Sequence, residues 1–118
     1  MKYMLLIAGD ETTMNAAPTV GDSGMSAEFG AYHEALLKSG VYLGGERLKP
    51  TSAASTVRVR DQKAVVLSGP YAETQEQIGG YYLIDVPDLD AAIEWASKCP
   101  SARNGSIEVR PVWPTHAE

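Results

Sequence analysis

A chain of 118 residues, 44% of them hydrophobic, is long enough for one domain with its own core, expected to span 1–118, and needs no disulfide framework. Its formal charge of -5 opposes association with nucleic-acid phosphates, so no nucleic-acid partner is expected. The apolar run Tyr3 to Ala8 falls far short of the ~18 residues that cross a bilayer, no basic region leads into a cleavable apolar stretch, and Cys99 is a lone cysteine. These features predict a cytoplasmic protein without a membrane partner.

Lys2 to Gly9 reads as a strand, apolar at the consecutive positions Met4, Leu5, Leu6 and Ile7, so that both its faces are expected to be covered. Asp10 to Gly24 is rich in Thr, Asn, Pro and Gly and reads as a long polar loop, a candidate lid by its length. Ser26 can cap a helix whose stripe of Met25, Phe29, Tyr32, His33, Leu36 and Leu37 runs to the stop at Gly40. Val41 to Leu43 forms a second strand leading into Gly44-Gly45, and Leu48 to Ala54 is a connection.

Thr56 to Arg60 and Ala64 to Leu67 form a hairpin around Asp61-Gln62-Lys63, with Val57 and Val59 on one face and Arg58 and Arg60 on the other. The arginines read as a solvated strand face or as an anion clamp. Gly80 to Val86 is a tyrosine-rich strand, again apolar at odd and even positions. Pro87 ends it, and Asp88 caps a helix carrying Leu89, Ala92, Ile93, Ala96 and Cys99 before Pro100. Ser106 to Trp113 closes the domain as a last strand.

This order suits an α+β sandwich, with two helices on one face of an antiparallel sheet. The helices cover one face only, yet the first strand and the tyrosine strand are apolar on both. A second copy of the chain is the economical cover, through Met4 or Leu6 and Tyr81 or Leu83, so a homodimer is expected.

No phosphate-binding glycine loop, nucleophile elbow or zinc spacing is present, and with only His33 and His116 no metal or cofactor is expected. His33 is the sharpest candidate for an acid or base, because imidazole titrates near neutrality; a histidine on an apolar helix face is more often a satisfied core residue. The Gly69-Pro70 turn can aim Tyr71 and Glu73 toward a small-molecule ligand. Tyr71 otherwise closes the core beneath the loop, and Glu73 with Glu76 otherwise forms a solvated acidic edge. Arg47, following Gly44-Gly45-Glu46, can hold a substrate carboxylate or pair internally with Glu46 or Asp85. Trp95 and Trp113 read as packing anchors, and Cys99 as a small buried hydrophobe.

The stretch Ser68-Gly69-Pro70-Tyr71-Ala72-Glu73-Thr74-Gln75-Glu76, followed by Gly79-Gly80-Tyr81-Tyr82, resembles the signature of the YCII-related proteins of the DGPF-domain type. Their pattern reads Asp-Gly-Pro-Phe, then Ala-Glu-Thr-Lys-Glu, then Gly-Gly and an aromatic strand. The resemblance extends through Met1 to Ile7, Gly44-Gly45-Glu46-Arg47-Leu48, Pro87-Asp88-Leu89-Asp90 and Val109-Arg110-Pro111-Val112. It implies a ferredoxin-like unit paired sheet to sheet as a dimeric α+β barrel.

It also implies a histidine on the first helix near an aspartate as a site, with His33 and Ser68 as the catalytic pair here. Ser68 stands where the pattern has aspartate, and a serine can hydrogen-bond an imidazole without stabilising imidazolium as a carboxylate does. That departure favours a ligand-binding or accessory, regulatory dimer of the kind associated with extracytoplasmic-function sigma factors, or a cleft without activity. The alternative is a cofactor-free lyase, isomerase or dehydrohalogenase, with His33 as acid or base and Ser68, Tyr71 and Arg47 positioning substrate.

Overall fold

In the computed structural model, which describes residues 1–14, 26–71 and 74–115, the first apolar run is strand β1, Lys2–Gly9. Burial alternates along it. Tyr3, Leu5 and Ile7 face the core, while Met4 and Leu6 lie half-buried on the opposite face. Strand β5, Gln77–Asp85, pairs antiparallel with β1 and repeats the division, with Tyr82 and Ile84 inside and Tyr81 and Leu83 outside. The register places Met4 opposite Leu83 and Leu6 opposite Tyr81, so all four expected contact residues share one face, which no helix among the described residues covers.

Strand β2, Tyr42–Arg47, lies beyond β5, and β6, Ser106–Pro111, lies beyond β1, giving an antiparallel sheet of order β2-β5-β1-β6. The two main helices pack against its core face. Helix α2, Ala27–Ser39, starts where the Ser26 hydroxyl accepts from the Phe29 N–H at 3.2 Å, and stops where Gly40 turns left-handed at φ 78°. Helix α3, Leu89–Lys98, starts at the Asp88 carboxylate, which accepts from the Ala91 N–H at 2.9 Å. Tyr32 and Leu36 from α2, with Ala92 and Ala96 from α3 and the following Cys99, complete the core. Strand, helix, two strands, helix and strand in this sheet order make a ferredoxin-like α+β fold.

Several boundaries differ from the sequence reading, each for a physical reason. Asp10 does not simply open a loop: its carboxylate accepts from the Thr12 N–H at 2.9 Å and starts a helical turn, α1, Glu11–Met14. The rest of the proposed lid lies outside the described residues. Strand β2 continues through its glycines to Arg47 because the backbones approach too closely for side chains. A Cβ on Gly45 would stand 2.7 Å from the Tyr81 carbonyl oxygen, and one on Gly80 would stand 2.7 Å from that of Glu46. Leu37, Leu89 and Ile93, read as core stripe, are exposed, because the narrow contact with the sheet is filled by Leu36, Ala92 and Ala96. Trp113, read as an anchor, is also exposed, since β6 ends at Pro111 and carries it past the helices.

The hairpin is the largest departure from a simple sandwich. Strands β3, Ser55–Arg60, and β4, Lys63–Ser68, pair only with each other, forming a separate two-stranded ribbon inserted between β2 and β5. Asp61 and Gln62 turn its tip with φ of 52° and 66°, the positive angles that match the twist of a tight hairpin. Its root is closed by the Gly69 N–H donating to Ala54 O at 2.7 Å and the Thr56 hydroxyl donating to Gly69 O at 2.8 Å. The connection before it is tied down where the Glu11 carboxylate accepts from the Thr51 N–H at 2.6 Å and the Thr51 hydroxyl at 2.8 Å. The radius of gyration, 16.0 Å, exceeds the ~13.5 Å of a compact chain of this length.

Candidate functional site

His33 sits one residue after the buried Tyr32, on the side of α2 that meets the β2 end of the sheet. Tyr42, the first residue of β2, presents its ring to the imidazole edge to face, with centroids 4.9 Å apart at 84°. Tyr82 lies 6.4 Å from the imidazole and 6.2 Å from Tyr42. Behind this group the Tyr32 ring contacts Tyr82 at 5.5 Å and Trp95 at 6.1 Å, and its hydroxyl donates to Trp95 O at 2.8 Å. The edge-to-face packing suits aromatic quadrupoles and holds the rings in place.

Within this layer, His33 Nδ1 is buried and has no hydrogen-bond partner among the described residues. Buried polar atoms are normally paired, so an open one beside two phenols is chemically conspicuous. Burial pushes the Tyr82 hydroxyl up to about 12, with Cys99 and then Tyr42 adding to the effect. Tyr32 is raised further by burial, with Cys99 and Tyr82 contributing. The Cys99 thiol is pushed up to about 11 by burial, partly offset by a hydrogen bond to the Ser101 backbone, and remains a protonated hydrophobe at neutral pH. Tyr82 and Tyr32 are therefore neutral hydrogen-bonding groups across the physiological range.

The other candidates cluster elsewhere. Ser68 ends β4 opposite Ser55 and is exposed. Gly69 follows with φ 100°, a conformation that favours glycine, and the turn delivers Tyr71 to the Arg58 guanidinium, 5.4 Å from its ring centroid. Tyr71 is 78% exposed, so it does not close a core beneath the loop. Arg47 ends β2 opposite Gly80. Glu73 lies outside the described residues.

His33 thus belongs to the Tyr42 end of β2, and the ribbon carrying Ser68 and Tyr71 is rooted beyond the Arg47 end. Five residues of strand separate those ends, roughly 16 Å. Tyr42 and Tyr82 are the neighbours of His33 that residue-by-residue reading passed over. Their signal was only a tyrosine at a strand start and another inside an apolar strand, and neither pattern names a neighbour across the sheet.

An open groove of about 550 Å³ runs between α2 and α3 and is lined by Tyr32, Ala35 and Trp95 among others. The Glu28–Arg103 ion pair belongs to its lining, and none of the four described candidates, His33, Arg47, Ser68 and Tyr71, does. Among the described residues no group of three or more His, Cys, Asp and Glu side chains is arranged to hold a metal ion. No helix among them is long and apolar enough to cross a membrane.

The sheet order and the two helices on one face define the chain as a ferredoxin-like α+β protein. Residues 1–116 match the YCII-related domain, and the chain belongs to that family. It is similar to an uncharacterised protein of Rhizobium meliloti (strain 1021), 36% identical over 114 residues that cover 95% of this chain and 92% of the relative.

Proposed function

We propose that this YCII-related protein is a homodimeric small-molecule-binding protein in which His33, Tyr42 and Tyr82 contact the ligand. The observation that carries the reading is the buried, unpartnered Nδ1 of His33 beside two tyrosine rings. An orphaned buried polar atom costs about 1–3 kcal/mol, a cost that a ligand group able to pair with it relieves. Aromatic walls with few polar groups are the usual lining of a small-molecule site. The accessory or regulatory role, of the kind associated with extracytoplasmic-function sigma factors, comes from the family resemblance and fits binding better than turnover, because Ser68 replaces the carboxylate of the family pattern.

The homodimer is read from the uncovered sheet face, where Met4 and Leu6 lie beside Leu83 and Tyr81. A fragment screen followed by imidazole 15N and tyrosine side-chain NMR tests the ligand reading. The expected outcome is binders that move the His33 nitrogens and the Tyr42 and Tyr82 rings, and that are lost in His33→Ala. Binders that map only to the α2–α3 groove, or that survive His33→Ala, remove the assignment.

The second reading keeps His33 as acid or base in a cofactor-free lyase, isomerase or dehydrohalogenase, and the observation favouring it is the unpartnered imidazole Nδ1 beside the Tyr42 and Tyr82 rings. It requires turnover that His33→Ala abolishes while the fold persists.

A further inference from the structure

Strands β3 and β4 pair only with each other, so among the described residues each keeps one open edge. The phase of their ladder follows from its root. The Gly69 N–H donates to Ala54 O at 2.7 Å, one step beyond the Ser55–Ser68 pair, so the hydrogen-bonded pairs fall at Thr56, Arg58 and Arg60. The backbone N–H and C=O groups of Ser55, Val57 and Val59 therefore point away from β4, along the open edge of β3. Among the described residues, Val59 O alone of these groups has a partner, the Arg60 Nη1 that donates to it at 3.0 Å. That bond stands a guanidinium at the edge itself.

The same edge carries a row of positive charge. Arg60 lies opposite Lys63, and Arg58 precedes Arg60 by two residues, so all three side chains share one face of the ribbon. Elsewhere Arg103, Arg110 and Lys98 each meet a carboxylate, on Glu28, Glu108 and Glu94. Arg58, Arg60 and Lys63 have no such partner among the described residues, and Asp61 is the one acid between Ser55 and Tyr71. The Arg58 guanidinium rests over the Tyr71 ring, 5.4 Å from its centroid, and its Nε is buried without a hydrogen-bond partner. Donor capacity on this face is thus unused within the described chain. A row of cations beside an unpaired edge suits an extended chain, which pairs its backbone with the edge and sets alternate side chains against the row.

We infer that the open edge of β3 accepts an extended acidic segment of a protein partner as an added strand, with carboxylates at alternate positions facing Arg58 and Arg60. Val59 and Val57 supply the backbone pairing. Arg58 and Arg60 then occupy the non-hydrogen-bonded positions of the new pair, where facing side chains come closest, with Cα atoms about 4.5 Å apart. Each guanidinium meets a carboxylate through charge-assisted hydrogen bonds, and Arg60 gives up the Val59 carbonyl to the incoming N–H. The partner residues between the carboxylates fall on the Val57 and Val59 side, so the matching sequence alternates acidic and apolar residues. This surface is separate from the His33 layer, and its test leaves the ligand reading untouched.

The test is an NMR titration of the 15N-labelled full chain with a capped peptide of about eight residues alternating glutamate and valine. A peptide of the same composition in block order, inorganic phosphate and a short DNA duplex are titrated alongside. The alternating peptide is expected to shift the Val57 and Val59 amides and slow their exchange, and the block-ordered peptide to bind at least about tenfold more weakly. Arg58→Gln combined with Arg60→Gln is expected to weaken the alternating peptide at least about tenfold. Val59→Pro removes an edge N–H that the β3–β4 ladder does not use, and is expected to abolish binding while the Arg58, Lys63 and Val65 amides keep their positions. No shift with millimolar peptide overturns the inference. Equal binding of the two peptide orders, or DNA or phosphate binding at these amides as tightly as the alternating peptide, also overturns it, by showing a general anion patch. Shifts confined to β4 or to the four-stranded sheet remove the assignment to β3, and the peptide-order comparison decides the matter even if a variant misfolds.

Discussion

Strands β1 and β4 are built from similar material and live in different surroundings. Met4-Leu5-Leu6-Ile7 and Ala64-Val65-Val66-Leu67 are both four-residue apolar runs, yet Leu5 is 1% exposed and Val66 is 65% exposed. The first is flanked by hydrogen-bonded neighbours on both sides and roofed by α2 and α3; the second has, among the described residues, one neighbour and no roof. Burial is decided by the layer that packs on a strand, and the apolar content of the strand only makes it available.

The comparison is broken most strongly by deleting a side chain where the layers meet. Ile84, fully buried between sheet and helices, should lose about 2–5 kcal/mol on substitution by alanine, read from urea denaturation. Val66→Ala, at concentrations where the chain is monomeric, should stay within about 0.5 kcal/mol of wild type. Equal effects would show that the ribbon is roofed within one copy.

Next come the glycines of β2, which separate close packing from open edge within a single strand. Gly45→Ala drives a methyl into the Tyr81 carbonyl and the Tyr82 ring and should cost about 1–3 kcal/mol. Gly44→Ala meets nothing within 4 Å and should be tolerated, with the difference visible in the same denaturation assay. A tolerated Gly45→Ala would mean that β2 is looser against β5 than its register indicates.

Alkaline titration reads the buried layer by ionisation. Tyr82 has its folded value raised to about 12 from 10.0, so the folded state holds its proton more tightly than the unfolded chain. The stability this contributes is fully present below pH 10 and is lost as pH rises through about 12. Tyr82→Phe should flatten that part of the melting-temperature profile. A profile unaffected by Tyr82→Phe would place the phenol in contact with water.

The smallest effect lies at the ribbon tip, where Gln62 holds φ 66°. Gln62→Gly removes the cost of a side chain in the left-handed region and should stabilise the ribbon by up to about 1 kcal/mol. Slower amide exchange in β3 and β4, with β1 and β5 unchanged, would confirm that the ribbon opens independently of the body.

Much of the fold was legible along the chain because its signals are local. Ser26, Gly40, Asp88 and Pro100 bound the two main helices through caps and a missing donor, and those groups act within a few residues of themselves. The two-sided apolarity of β1 and β5 is likewise written in consecutive residues, and with it the expectation of an uncovered sheet face. The stripes were less reliable. Leu37, Leu89 and Ile93 satisfy helical spacing and remain exposed, because spacing names a side of the helix and not the width of the contact it makes.

The site depended on contacts that no spacing encodes. Tyr42 and Tyr82 are forty residues apart and meet at His33 only because β2 pairs with β5 beneath α2. Ser68 and Tyr71 stand together at the ribbon root because Gly69 turns the chain there, while the sheet carries His33 to the other end of β2. The sequence by itself determined the helix limits, the α+β order and the apolar faces, since caps, breakers and periodicity are properties of neighbouring residues. Tertiary structure alone decided that the hairpin leaves the sheet as a separate ribbon and that His33 meets tyrosines, because long-range pairing selects partners that local preference leaves open.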